Sequence, residues 1–209
     1  VKTSATLSKN YKPLTRNFNK KITQPVQMNL QGQFLIATPQ MPDPRFQETV
    51  IYVCAHTDEG VMGLVVNQPV PYISLADVMR STNIPVIAEK LPTVYIGGPM
   101  EIESSFCLYS SEYKAINYID VTDTVCLSRD VEILHDISQG KGPERYIFIL
   151  GYSGWAPGQL ENELKVNGWL TVPSNDKILF QTPDDKKWRE AAKEYGIDIT
   201  LFGDVIGNA

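Results

Sequence analysis

The sequence predicts an α+β fold. Two observations carry this: β-rich apolar segments arrive in consecutive runs, and the helical segments stand isolated between those runs instead of alternating strictly with strands. A third bounds the size. The chain has 209 residues with 43% hydrophobic content, enough for one sizeable core and ordinary for a globular protein.

The elements follow in order. Residues 34–38 read as the first strand, followed by a turn region over 39–46 that holds three prolines. Residues 49–56 and 61–66 flank Thr57-Asp58-Glu59-Gly60 and predict a β-hairpin. Ser74 followed by Asp77 is a helix-start signature, and Val78 and Met79 continue the apolar face. Residues 93–96, 106–110, 118–121 and 124–127 predict strands. Residues 130–139 predict a helix with Val131, Leu134 and Ile137 inward and Gly140 as its stop. Strands are expected over 146–150, 169–172 and 178–180. Between the first two lies Gly151-Tyr152-Ser153-Gly154-Trp155-Ala156-Pro157-Gly158, which reads as a tightly turned loop. A short helix with Leu160 and Leu164 on one face follows it. Residues 184–195 form the clearest helix, acidic at its start and stopped by Gly196.

Charge divides the chain at about residue 26. Residues 1–26 hold Lys2, Lys9, Lys12, Arg16, Lys20 and Lys21 and no acid, whereas the remainder carries 13 Lys and Arg against 24 Asp and Glu. The expected organisation is therefore a basic N-terminal arm or tail (1–26) and a single domain (27–209). Such an arm can remain a loose tail, dock on its own acidic body or on a neighbouring copy, or bind an anionic partner; a transit peptide has the same composition. Leu7, Tyr11, Leu14, Phe18 and Ile22 recur at helix-like spacing, although Pro13 opposes one continuous helix. These apolar residues favour a protein surface, and with it self-association through the arm. An acidic body without a helix-turn-helix pattern predicts no direct duplex-DNA binding. No run approaches the roughly 18 apolar residues of a membrane helix, so no membrane partner is expected. Cys54, Cys107 and Cys126 are odd in number, widely spaced and set among apolar residues. They read as free thiols in a reducing compartment, so the expected location is cytoplasmic.

Several chemical readings fail on pattern. Gly151-Tyr152-Ser153 resembles the start of a nucleophile elbow, but Trp155 stands where that motif needs a small residue. His56 and His135 are far apart, and the cysteines form no ligand cluster, so no metal site and no cofactor are assigned. His56 is expected to bond within the turn near Asp58 and Glu59. Glu161 and Glu163 lie two apart on a helix and do not face each other as an acid pair. Gly97-Gly98-Pro99 lacks a phosphate-loop pattern and reads as a tight turn. What remains is a candidate ligand- or partner-binding set of Asn67, Gly97, Gly98, Trp155, Gln159 and Glu161, with no catalytic residue assigned. Trp155 and Gln159 pair a flat apolar face with a two-way hydrogen-bonding group, which suits a pocket. They equally suit an indole plugging the core while the amide ties down its turn.

The stretch from Gly151 to Glu161 resembles the hallmark of the YqgE/AlgH family, a Gly-Tyr-(small)-Gly-Trp-x-x-Gly-Gln-Leu-Glu sequence. Gly32-Gln33-Phe34-Leu35-Ile36-Ala37-Thr38-Pro39, Asp43-Pro44-Arg45-Phe46, the hairpin through Gly60–Pro69 and Gly97-Gly98-Pro99 resemble its other motifs in the same order. One departure is Tyr109, where the family usually has histidine. The resemblance implies a mixed, largely antiparallel sheet partly curled into a small barrel, with peripheral helices. It implies no particular activity, and the family's name is tied to transcriptional regulation. The resulting expectation is a non-enzymatic cytoplasmic binding or regulatory module for a protein or small-molecule partner. The alternative is an enzyme acting on a small polar substrate near Trp155 and Gln159. A deep pocket with convergent polar groups favours the enzyme, and an exposed apolar patch favours a protein partner.

Overall fold

The computed structural model describes residues 29–87, 91–166 and 168–201. The basic arm lies outside the described residues. Strands β1 (Gln33–Ala37), β2 (Val50–Thr57) and β3 (Gly60–Val65) form an antiparallel ladder. The predicted hairpin closes through Asp58 and Glu59. Alternation then sorts the side chains. Phe34, Ile36, Tyr52 and Cys54 join one core cluster, while Leu35, Ala37, Ile51 and Val53 join a second. Both faces of this ladder are therefore covered.

After β4 (Pro69–Ser74) comes α1 (Leu75–Ser81), opened by the predicted capping box. Ser74 Oγ accepts from the Asp77 amide at 3.1 Å, and the Asp77 carboxylate accepts from the Ser74 amide at 3.2 Å. Next are β5 (Thr93–Ile96), β6 (Met100–Ser110), β7 (Ile119–Asp120), β8 (Val125–Ser128) and α2 (Glu132–Ser138). The chain continues with β9 (Tyr146–Trp155), α3 (Gln159–Lys165), β10 (Trp169–Pro173), α4 (Asp176–Phe180) and α5 (Asp184–Lys193). The sheet order is β10-β1-β2-β3-β9-β6-β8-β7, with β4 and β5 joined on through β9. All pairings are antiparallel except β5 with β9. The sheet is mixed, largely antiparallel and curled into a half-barrel with helices outside it, as the family resemblance implies. No helix among the described residues is long and apolar enough to cross a membrane.

β9 is the pivot, and here the expected loop is corrected. Residues 151–155 are strand, and the turn is confined to Ala156, Pro157 and Gly158. The strand pairs with β5 as far as Leu150 and with β6 as far as Tyr152, across a register shift; from Ser153 to Trp155 it pairs with β3. Gly151 sits at the change of partner with φ +70°, where a Cβ would lie 2.8 Å from the Gly98 carbonyl oxygen and 3.0 Å from that of Met100. Its glycine serves a bend and a close backbone approach within a strand.

Three smaller corrections follow. The 178–180 segment is the end of α4, because Asn175 caps the helix by accepting from the Ile178 amide at 2.8 Å. Val131 is exposed, and Ile133 takes the inward place beside Leu134 and Ile137. β4, interrupted by Pro69 and Pro71, has no counterpart in the sequence reading.

Candidate functional site

The end of β9 and the start of α3 place Trp155, Gln159 and Glu163 together. Gln159 and Glu163 are four apart on α3 and share a face. Gln159 Oε1 accepts from the Ala156 amide at 3.1 Å, and Gln159 Nε2 donates to Glu163 Oε1 at 2.9 Å. The Trp155 and Trp169 indoles both donate to Glu163 Oε2, each at 2.9 Å. One carboxylate thus gathers three N–H donors in charge-assisted bonds. The two indoles meet edge to face at 6.0 Å, and Phe46 packs on Trp169 at 5.6 Å. Trp155 is only 7% exposed. It plugs the core cluster under α3, and Gln159 ties down the turn.

A cleft of about 280 Å³ opens over this arrangement, lined in part by Met41, Arg45, Phe46, Met100 and Trp169. Arg45 is paired with Asp43 at 2.6 Å, and the guanidinium holds the Asp43 carboxyl below its usual range. Ser153 is buried and its hydroxyl donates to the Gly97 carbonyl at 3.0 Å, which makes it a cross-strand tie.

The six candidate residues do not form one site. Trp155 and Gln159 line the cleft. Gly97 and Gly98 lie beneath it: the Gly97 amide donates to the Leu150 carbonyl at 2.9 Å, and Gly98 packs on the Tyr152 backbone. Asn67 is elsewhere, clamping the bend at Glu48. Its Oδ1 accepts from the Val50 amide at 2.8 Å and its Nδ2 donates to the Glu48 carbonyl at 2.9 Å. Glu161 faces His56, whose Nε2 lies 3.2 Å from Glu161 Oε1. His56 Nδ1 accepts from the Leu30 amide at 3.1 Å, so the ring proton resides on Nε2. His56 therefore bonds across the fold, and not within its own turn. Sequence reasoning missed Glu163 and Trp169. Their signal was a carboxylate one turn after Gln159, with a second tryptophan following the same helix. Among the described residues, no three His, Cys, Asp or Glu side chains cluster as metal ligands.

A larger groove, about 670 Å³, lies across the β6–β8 face. Phe106, Leu127, Met62 and Tyr152 contribute apolar lining, and Ile116, Tyr118 and Ile119 come from the segment leading into the edge strand β7. Ile116 is 81% exposed and Ile119 50%. Arg129 stacks over Phe106 at 5.0 Å and reaches Glu101 at 3.5 Å. A shallow depression containing Met62, Met100, Tyr152 and Gly154 connects groove and cleft. Gly154 keeps that passage open, since a Cβ there would come 2.7 Å from Met100 Sδ.

The family model described as AlgH-like matches residues 34–200. The chain is a member of the AlgH-like family. A UPF0301 protein of Desulfotalea psychrophila is 45% identical over 181 residues, covering 87% of this chain and 95% of that one. A UPF0301 protein of Paracoccus denitrificans is 42% identical, covering 87% and 97%. The solution structure of the AlgH protein from Pseudomonas aeruginosa superposes with a TM-score of 0.72 at 34% identity, covering 90% of this chain and all of that one. A Corynebacterium diphtheriae protein at 19% identity, with a TM-score of 0.67 over 83% and 91%, shares the AlgH-like fold.

Proposed function

We propose that this AlgH-like protein is a non-enzymatic cytoplasmic binding module with a regulatory role, which takes an extended polypeptide segment in the groove across β6–β8. One observation carries this reading. The polar groups of the Trp155 cleft are bonded to one another, whereas the groove presents exposed isoleucines beside an edge strand. An edge strand offers unpaired backbone groups to an added strand, and neighbouring apolar side chains select its residues. The acids at the groove are Glu101, which lines it, and Asp130, which accepts from the groove residue Asn117 at 2.9 Å. The nearby cations Lys114 and Arg129 are held by Asp120 at 3.1 Å and by Glu101. A segment combining apolar and basic side chains complements that rim. A cytoplasmic location is supported by three free, buried thiols. An enzyme acting on a small polar substrate would need a nucleophile or base free to react at the cleft, and Ser153, Gln159 and Glu163 are engaged.

Fluorescence anisotropy with synthetic peptides of alternating apolar and basic residues tests the reading. Binding should weaken with salt and disappear in the Ile116→Asp/Ile119→Asp variant. Equal binding by that variant, or no binding by either protein, overturns it.

A further inference from the structure

We propose that Lys114 and Cys126 form an oxidant-driven modification site, at which hydrogen peroxide brings about a covalent bond between Lys114 Nζ and Cys126 Sγ. This stands apart from whatever the groove binds.

The strand register assembles the site. Cys126 on β8 lies directly opposite Tyr109 on β6 and Asp120 on β7, so the three side chains share one face of the sheet. Tyr109 and Cys126 are fully buried in one core cluster, whereas the Asp120 side chain is 61% exposed. The thiol therefore sits at the margin of the core with its polar contact turned outward: Cys126 Sγ donates to Asp120 Oδ1 at 3.2 Å. Lys114, from the segment leading into β7, completes the cluster. Its ammonium donates to Asp120 Oδ1 at 3.1 Å, stands 3.7 Å from Cys126 Sγ and lies over the Tyr118 ring at 4.7 Å. The Lys114 side chain is half exposed, and its flexible stem can swing aside to admit a small oxidant and return. A disulfide is not available to this thiol from its strand neighbour. Cys107 lies opposite Ser128, one diagonal step from Cys126. Residues in that relation stand about 7–8 Å apart, too far for a disulfide without backbone movement. Cys54 belongs to a different core cluster.

The three groups also rest in the protonation states the chemistry uses. Burial pushes the Cys126 thiol up to about 11, and the hydrogen bond to Asp120 raises the Lys114 pKa, so both carry their protons. Asp120 takes the thiol proton as sulfur attacks the peroxide. The O–O bond breaks, and the leaving hydroxide takes a proton from Lys114 and departs as water. Sulfur is thereby oxidised to the sulfenic acid, and the peroxide is reduced by the same two electrons. The Lys114 amine, now neutral, attacks that sulfur, and the S–O bond breaks as the S–N bond forms. The departing hydroxide takes a proton from the nitrogen and leaves as a second water, while Asp120 returns its proton to solvent. The product is a sulfenamide, formed here on a lysine as sulfenic acids form it on a backbone nitrogen.

The test treats the full chain with hydrogen peroxide, digests it without reductant and maps it by mass spectrometry. The expected product is a single chain lighter by two hydrogen atoms, with the Lys114 and Cys126 peptides joined, and dithiothreitol should restore the starting mass. Lys114→Arg keeps a cation beside Asp120, but its guanidinium stays protonated. In that variant the crosslink should be lost and Cys126 should advance to the sulfinic acid, heavier by two oxygen atoms. The wild-type map decides the question by itself if the variant folds poorly. A wild-type Cys126 that is unmodified or sulfinic beside a free Lys114, a Cys126 joined to any other residue, or an unchanged product at Cys126 in Lys114→Arg overturns the inference.

Discussion

The Trp155 cleft and the β6–β8 groove are neighbours across the outer face of β9, yet they use their residues in opposite ways. In the cleft, two indoles and an amide converge on Glu163, and the serine and arginine beside them are also paired. In the groove, isoleucines and a tyrosine stand in the open with no distinctive sequence pattern around them. The residues that make the sequence recognisable are thus spent on holding β9, α3 and β10 together. The exposed apolar side chains lie where the sequence is least distinctive. A glycine-rich signature is weak evidence for a ligand site when its polar atoms already satisfy one another.

The largest effect is expected at Trp155. Trp155→Ala should destabilise the fold by about 3–5 kcal/mol, the range for deleting a buried aromatic. Denaturant unfolding with an unchanged midpoint would show the indole to be a binding group and would break the comparison at its stronger side. Glu163→Ala should follow at about 2–3 kcal/mol, because two partly buried indole N–H groups lose their acceptor at once. Glu163→Gln keeps one side-chain oxygen and should cost less, so the pair of variants separates lost acceptors from lost packing.

Lys187 extends the cleft's lesson to a buried cation. It is 2% exposed, and its ammonium donates to the Val66 carbonyl at 2.7 Å and the Leu179 carbonyl at 3.1 Å, with Asp184 at 3.4 Å. Lys187→Met should cost about 2 kcal/mol, since two buried carbonyls lose their donor. Burial lowers the Lys187 pKa below 10.5 although Asp184 opposes the shift. Between the lowered folded value and 10.5 the unfolded chain binds the proton more readily, so this group makes stability rise with pH across that window. The wild-type-minus-variant difference in unfolding free energy should carry that slope. A flat difference would mean that the ammonium is as well solvated by its partners as by water.

Much of the fold was legible because local rules sufficed. The Ser74–Asp77 box, the Gly140 and Gly196 stops and the alternation of β1 and β2 each need only a few neighbouring residues. The strand character of residues 151–155 was not legible. Glycines announce a turn locally, whereas Gly151 answers to the Gly98 and Met100 backbone some fifty positions away. α4 was hidden because three apolar residues show no period, and only its asparagine cap distinguishes helix from strand. At the site, Trp155 and Gln159 could be picked out, but their shared partner Glu163 became visible only with Trp169 folded beside it. The groove could not be read at all, since its lining is drawn from residues 62 to 152.

The smallest effect on stability, and the sharpest test of the contrast, is expected in the groove. Ile116 and Ile119 are exposed, and Ile119 belongs to a two-residue strand that, among the described residues, pairs with β8 alone. Surface substitutions away from caps, cores and buried networks usually change stability by no more than about 0.5 kcal/mol. Ile116→Asp with Ile119→Asp should stay near that limit, with a small cost from placing new carboxylates beside Asp120 and Glu101. Thermal unfolding of this variant, compared with Trp155→Ala, then measures the contrast between the two regions directly. A loss of more than 2 kcal/mol would mean that these isoleucines help to hold β7 against the sheet. They would then be structural in the same sense as Trp155, and the groove would lose its claim to be the part of the molecule left open for a partner.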